Sequence, residues 1–324
     1  MAIKHVVSNG LMILLDASIR SLSILLLFPT TLYAQITLPT PNRQEKTHIA
    51  PAYFGPNAFP VPEMLDDAVS ENLEVSLRGD LFIGDYGDHT GSLMASLRIP
   101  LFTPRVNLVA WMPVVERYNL STEWIRNAPI DTSTPHKGWT TGTIFLSTDI
   151  LLLQESRYRP AIAIRACMKT AAEKNWEAAR YYDCPGYFFD LSVGKSLIFR
   201  NNVLKRLRVG VSGGFLCWQT DNARQNDATM YALKLTAGFK YLSISQDIRG
   251  YFGWERDGDC PMVIKTTILG NLKRYTPYIE YQKGLKDYPY QQLSLGLKVA
   301  FDILHKRSKR DRLQHDNHQS ILSL

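Results

Sequence analysis

No apolar run in this chain of 324 residues is long enough to cross a membrane as a helix. A spanning helix needs about 20 consecutive apolar residues, and the longest strongly apolar stretch, Leu22–Phe28, falls far short. A helical membrane bundle is excluded. Cysteine is scarce at four residues, with no CxxC and no cysteine–histidine spacing, so neither a zinc centre nor any other cofactor site has support. Histidine is scarcer still in the middle of the chain, where only His89 and His136 fall between residues 71 and 304. A Ser–His hydrolase needs a histidine beside a serine on one wall, and neither position offers that. Concentrated charge is also missing. Of the net +7, residues 1–34 carry +1 and the tail from His305 carries +3, which leaves +3 spread over 35–304. So dilute a charge makes no phosphate-binding surface, and nucleic acid is excluded as a partner.

What the chain does have is a two-residue period. In Gln292–Asp302, Leu293, Leu295, Leu297, Val299 and Phe301 alternate with Ser294, Gly296, Lys298, Ala300 and Asp302. Alternate residues of a strand point to opposite faces, so this segment has one apolar and one polar or small face. The pattern predicts strands at 72–84, 92–102, 105–117, 139–152, 160–171, 186–199, 205–218, 229–240, 242–254, 262–271, 275–284 and 290–303. The third and fourth alternate poorly, and Gln246 breaks the face of the ninth. Mean hydropathy is only −0.15, but in a lipid-facing barrel half of every strand is polar and the average hides the pattern.

Two further patterns agree. The connections alternate between longer ones (near 85–91, 118–138, 172–185, 219–228, 255–261 and 285–289) and tight ones, as in membrane barrels with short periplasmic turns and longer outer loops. Trp139, Trp218 and Trp254 lie at strand ends beside long connections, with Phe102, Phe199, Phe239, Tyr241, Tyr275 and Phe301 at the opposite ends. Rings at both ends predict interfacial girdles. The fold expected is an all-β, antiparallel transmembrane barrel of about 12 strands, with 10–14 possible.

Four regions follow. Residues 1–34 read as a secretory signal: Arg20, the short apolar core, then Thr30–Ala34, with cleavage after Ala34 and Met12 as an alternative start. Residues 35–70 form a proline-rich leader, 71–304 the barrel, and 305–324 a basic, disordered tail. The leader's Pro39, Pro41, Pro51, Pro56, Pro60 and Pro62 argue against a central strand. Its rings at Tyr53, Phe54 and Phe59 are too many for a linker in water and predict a plug docked at the periplasmic mouth.

The last strand resembles the terminal β-signal of Gram-negative outer-membrane β-barrel proteins, carried here by Ser294, Gly296, Val299 and Phe301. The resemblance implies residence in outer-membrane lipid and recognition by the outer-membrane barrel-assembly machinery. The chain departs from it by continuing about 23 residues past Phe301. An even strand count after a signal-led leader places both termini in the periplasm.

Strand parity turns a set of ionisable groups into the lumen. They include the bases Arg78, Arg98, Arg165, Lys169, Arg208, Lys234, Lys265 and Lys298 and the acids Asp80, Asp190 and Glu280. Two readings stay open, a polar interior that pairs with itself and a weakly anion-favouring pore. The function expected is a passive channel or transport-associated protein for small polar solutes. The alternatives are a structural or assembly component without flux and a surface hydrolase of the aspartate–histidine protease kind, for which Asp85, Asp88 and His89 supply the residue types. Cys184 and Cys260 stand in matching Asp-Cys-Pro contexts in loops of the same side, where a disulfide would staple two loops. Cys167 and Cys217 read as small strand residues.

Overall fold

The computed structural model describes residues 49–65, 69–127, 135–171, 178–200, 203–220, 225–272 and 274–302. The expected signal peptide and basic tail lie outside these residues. Alternation becomes thirteen strand segments: β1 (Leu73–Gly84), β2 (His89–Pro100), β3 (Val106–Asn119), β4 (Lys137–Thr140), β5 (Phe145–Leu153), β6 (Ala161–Lys169) and β7 (Gly186–Ile198) come first. They are followed by β8 (Arg206–Gln219), β9 (Gln225–Gly238), β10 (Leu242–Phe252), β11 (Met262–Gly270), β12 (Tyr275–Lys286) and β13 (Tyr290–Phe301). A short helix, α1 (Thr122–Asn127), and one 3-10 turn at Pro51–Tyr53 also occur.

All neighbours pair antiparallel, and β13 returns to β1 in register from Leu73↔Phe301 to Gly84↔Tyr290. The sheet therefore closes into a barrel of twelve staves, because β4 and β5 pair with the upper and lower parts of β3 and together make one stave. Closure leaves no unpaired edge, which a strand in hydrocarbon requires. The apolar face points out. On β1, Leu77 is 52% exposed and Leu81 48%, whereas Phe82 and Asp80 between and beside them are buried. Leu295 on β13 and Leu233 on β9 continue the outer belt.

The poor alternation of the third and fourth segments has a cause. Pro113 lacks the N–H that a ladder needs, and opposite it the β2–β3 register skips a residue between Leu93 and Met94. Below this bulge Asn107 and Val109 are buried, and above it Glu116 and Tyr118 are. One extra residue has switched the inward set from odd to even positions. Across the bulge the fourth stave breaks at 141–144, where the Gly142 N–H donates to the Pro113 carbonyl at 2.8 Å. The single strand expected at 139–152 is thus corrected to β4 plus β5.

The strands also run further than expected at one end, so the connections at 85–88, 220–224 and 287–289 are short. The length difference between the two ends rests on 120–136, 170–185 and 253–261; these mark the long-loop end, and the turns at 101–105, 154–160, 199–205, 239–241 and 271–274 mark the short-turn end. Trp139 and Trp254 are exposed at the long-loop end, but Trp218 and Trp124 are buried inside it. Those two belong to the core and not to a girdle.

Candidate functional site: a filled lumen

The leader runs through the barrel. From the start of β1 at the short-turn end, Ser70 is tied to β3 by reciprocal bonds: its N–H donates to Asn107 Oδ1 at 2.7 Å and its carbonyl accepts from Asn107 Nδ2 at 2.8 Å. Glu63 sits among charged side chains further up, and residues 50–59 reach the long-loop end. There the Ala52 N–H donates to the Gly258 carbonyl and the Gly55 N–H to the Ala179 carbonyl, both in long loops. The expected position at the short-turn mouth is therefore corrected. The aromatic surface that receives the leader is built from Trp218, Tyr251, Tyr288 and Tyr290, all of which lie near the long-loop end.

Phe54 and Phe59 are buried and meet edge to face at 5.3 Å; Phe54 also packs on Tyr182 and Phe59 on Trp218. Tyr53 is only partly buried against the same cluster. Each buried ring contributes about 1.5–3 kcal/mol over its exposed state. A backbone in such a core must have its polar groups satisfied. Pro51, Pro56, Pro60 and Pro62 remove four N–H donors at source. Three carbonyls take tyrosine hydroxyls instead: Tyr290 donates to Phe54 O at 3.1 Å, Tyr288 to Pro56 O at 3.2 Å and Tyr251 to Phe59 O at 3.4 Å.

One carboxylate joins wall, leader and loop. Glu116 of β3 is fully buried and accepts from Arg180 Nε at 3.0 Å, Tyr181 OH at 2.8 Å and Asn57 Nδ2 at 2.7 Å. Arg180, equally buried, also donates to Thr90 Oγ1 at 2.9 Å. A buried ion pair persists only with such additional donors and acceptors around it.

Nearer the short-turn end the lumen holds a cavity of about 390 Å³. Glu63 projects into it and lies 3.0 Å from Lys265 Nζ and 3.3 Å from Arg78 Nη1, while its backbone carbonyl accepts from Arg165 Nη2 at 2.7 Å. Both cations also meet Glu280, at 3.3 and 3.2 Å, and Arg78 meets Asp80 at 2.7 Å. Arg165 grips Asp190 through two bonds at 2.7 and 3.1 Å. Arg98 lies 3.6 Å from both Glu74 and Asp149, and Lys298 lies 3.6 Å from Glu74. Lys234 lines the same cavity. Arg208 is buried against Glu155 at 2.7 Å, below the others. Lys169 stands apart at the long-loop end, donating to the Cys184 carbonyl at 2.7 Å.

Parity missed Glu116, Arg180, Glu63 and Glu155. The bulge hides Glu116, with Pro113 as the available signal, and the other three lie outside the strands, where no period applies. The acids among them offset the cationic excess that strand parity alone counts. All four cysteines are free thiols, so the expected Cys184–Cys260 disulfide is not formed. Cys184 faces Lys169, with Nζ 3.5 Å from Sγ, whereas Cys260 Sγ contacts Asp259 and the Gly253 carbonyl. Asp88 is buried and His89 exposed, so the pair diverges across the sheet. Ser294 of the closing strand is fully buried and accepts from Gln292 at 3.0 Å. Gly296 lies directly under the Tyr278 ring, which leaves no room for a side chain. Val299 and Phe301 pair with Val75 and Leu73 across the closing seam.

No family model matches the chain, and no curated protein is similar to it in sequence. Solved structures match in shape. An outer-membrane channel from Pseudomonas putida F1 superposes with a TM-score of 0.53 at 9% identity, covering 74% of this chain and all of that one. The transport unit of the autotransporter AIDA-I from Escherichia coli gives 0.46 at 9% identity, covering 79% and 100%. The KdgM porin gives 0.44 at 10% identity, covering 70% and 99%. At such identities the likeness is one of fold, and the fold is that of the Gram-negative outer-membrane β-barrels.

Proposed function

We propose that this protein is an outer-membrane channel for small polar solutes, held shut by its own leader. The observation that carries the reading is how the leader is held. Its described backbone–backbone bonds to the rest of the molecule go to two loops, at Gly258 and Ala179, and none goes to a barrel strand. Side chains hold the rest, so the leader can withdraw without breaking a ladder. Withdrawal would open the long-loop end and take the Glu63 charge out of the lumen. Arg78 and Lys265 would then face the passage with one acid fewer, which favours anions, small carboxylates among them. Both chain ends of the barrel emerge at the short-turn end, which this reading assigns to the periplasm.

Planar-bilayer recording tests it. The full chain is expected to conduct rarely, and a variant lacking residues 49–65 to conduct steadily, with a reversal potential of anion-favouring sign in a salt gradient. Silence in both would leave a structural or assembly component as the better reading. Conductance in the deletion variant without anion preference would remove the role given to Glu63 and keep the channel.

A further inference from the structure

The two ends of the barrel carry opposite charge. The five turns of the short-turn end hold eight Lys and Arg and one acid, Glu155, whereas the six connections of the other end hold five bases and twelve acids. Glu155 is already taken by Arg208 and Lys195. Arg105, Arg157, Arg159, Arg200, Lys240 and Arg274 are exposed, and none has an acidic partner among the described residues. Rings stand beside them. Arg157 lies over Tyr158 at 5.3 Å, Lys240 over Tyr241 at 4.8 Å, and Arg274 over Tyr275 at 5.8 Å and Phe301 at 4.7 Å. Phe102 is 94% exposed next to the Arg105 turn, and Tyr158 is 83% exposed.

If these turns stood in water, rings as exposed as Phe102 and Tyr158 would leave apolar surface hydrated. At the rim of a bilayer the ring sits at headgroup depth and the cation beside it reaches a phosphate. We infer that the short-turn end is a collar that binds anionic phospholipid headgroups of the facing leaflet, one lipid to a turn. The acidic loops at the other end repel the same headgroups, so the collar fixes which way the barrel stands. This rests on the membrane placement proposed above and not on conduction.

Spin-labelled phosphatidylglycerol and phosphatidylcholine, added in turn to the full-length protein in phosphatidylcholine bilayers, provide the test. The readout is the fraction of label that the protein holds motionally restricted. One base near a lipid phosphate corresponds to a preference of about fivefold for the anionic lipid. That preference should fall towards unity in 0.5 M salt, a concentration chosen to screen it. It should be lost when Arg105→Gln, Arg157→Gln, Lys240→Gln and Arg274→Gln are combined. Should that variant fail to fold, Lys240→Gln and Arg274→Gln are measured singly, each expected to lower the preference in part. Equal restriction of the two lipids would overturn the collar, as would a preference that ignores salt and survives the substitutions. Binding to purified peptidoglycan sacculi in place of a lipid preference would overturn it too. No restricted lipid of either kind would instead remove the membrane placement itself.

Discussion

Asp88 is a carboxylate placed where water does not reach. It lies just before β2, within the field of Arg180, His89 and Tyr290, and burial pushes its carboxyl up to about 6 despite their opposing pull. The folded state therefore holds this proton more tightly than the unfolded chain does, where the value is near 3.8. Its contribution is fully present below about pH 4 and is lost as pH rises through about 6. The temperature at which the barrel loses its compact form should accordingly drop between pH 4.5 and pH 7.5 more in the wild type than in Asp88→Asn. Identical slopes in the two proteins would refute this assignment. Glu116 is the contrasting case: equally buried, but with Arg180 and two further donors, Tyr181 and Asn57, in reach. Stripping one partner from such a cluster typically costs about 3–5 kcal/mol.

At the scale of elements, the leader behaves as an inserted rod whose grip is spread over many weak bonds. Tyr251→Phe, Tyr288→Phe and Tyr290→Phe together remove three hydroxyls from its carbonyls. At about 1 kcal/mol each, roughly 3 kcal/mol of docking is lost while the rings stay in place. Chymotrypsin should then cut the leader at Phe54 at least tenfold faster in the detergent-solubilised protein; an unchanged rate would mean that the hydroxyls do not hold it. The twelve staves were legible in the sequence because an apolar face outside and polar groups inside impose a two-residue period. The same rule located Arg78, Arg165 and Lys265 without any structure. It failed at β3, where a bulge reverses parity, and so concealed Glu116. Nor could it follow the leader. Aromatic content told that Phe54 and Phe59 must be buried, but not that the receiving surface, from Trp218 to Tyr290, lay at the far end of the barrel.

The described residues form a closed ring of strands packed around residues 49–65, and that predicts unusual robustness. Unboiled in detergent, it should run on a gel faster than its mass, and boiling should slow it. Migration that boiling leaves unchanged, with helical circular dichroism, would end the barrel assignment. The seam between β1 and β13 has a topological consequence. A closed hoop admits nothing from the side, so the rod inside was either enclosed as the hoop shut or drawn in lengthwise. The lengthwise route would drag Tyr53, Phe54 and Phe59 past the charged girdle of Glu74, Arg98 and Lys298. Enclosure needs only that β13, the last strand made, find β1 after the leader has settled on the open sheet. The sheet then wraps its own mandrel, and every chain whose seam closes in this order matures shut.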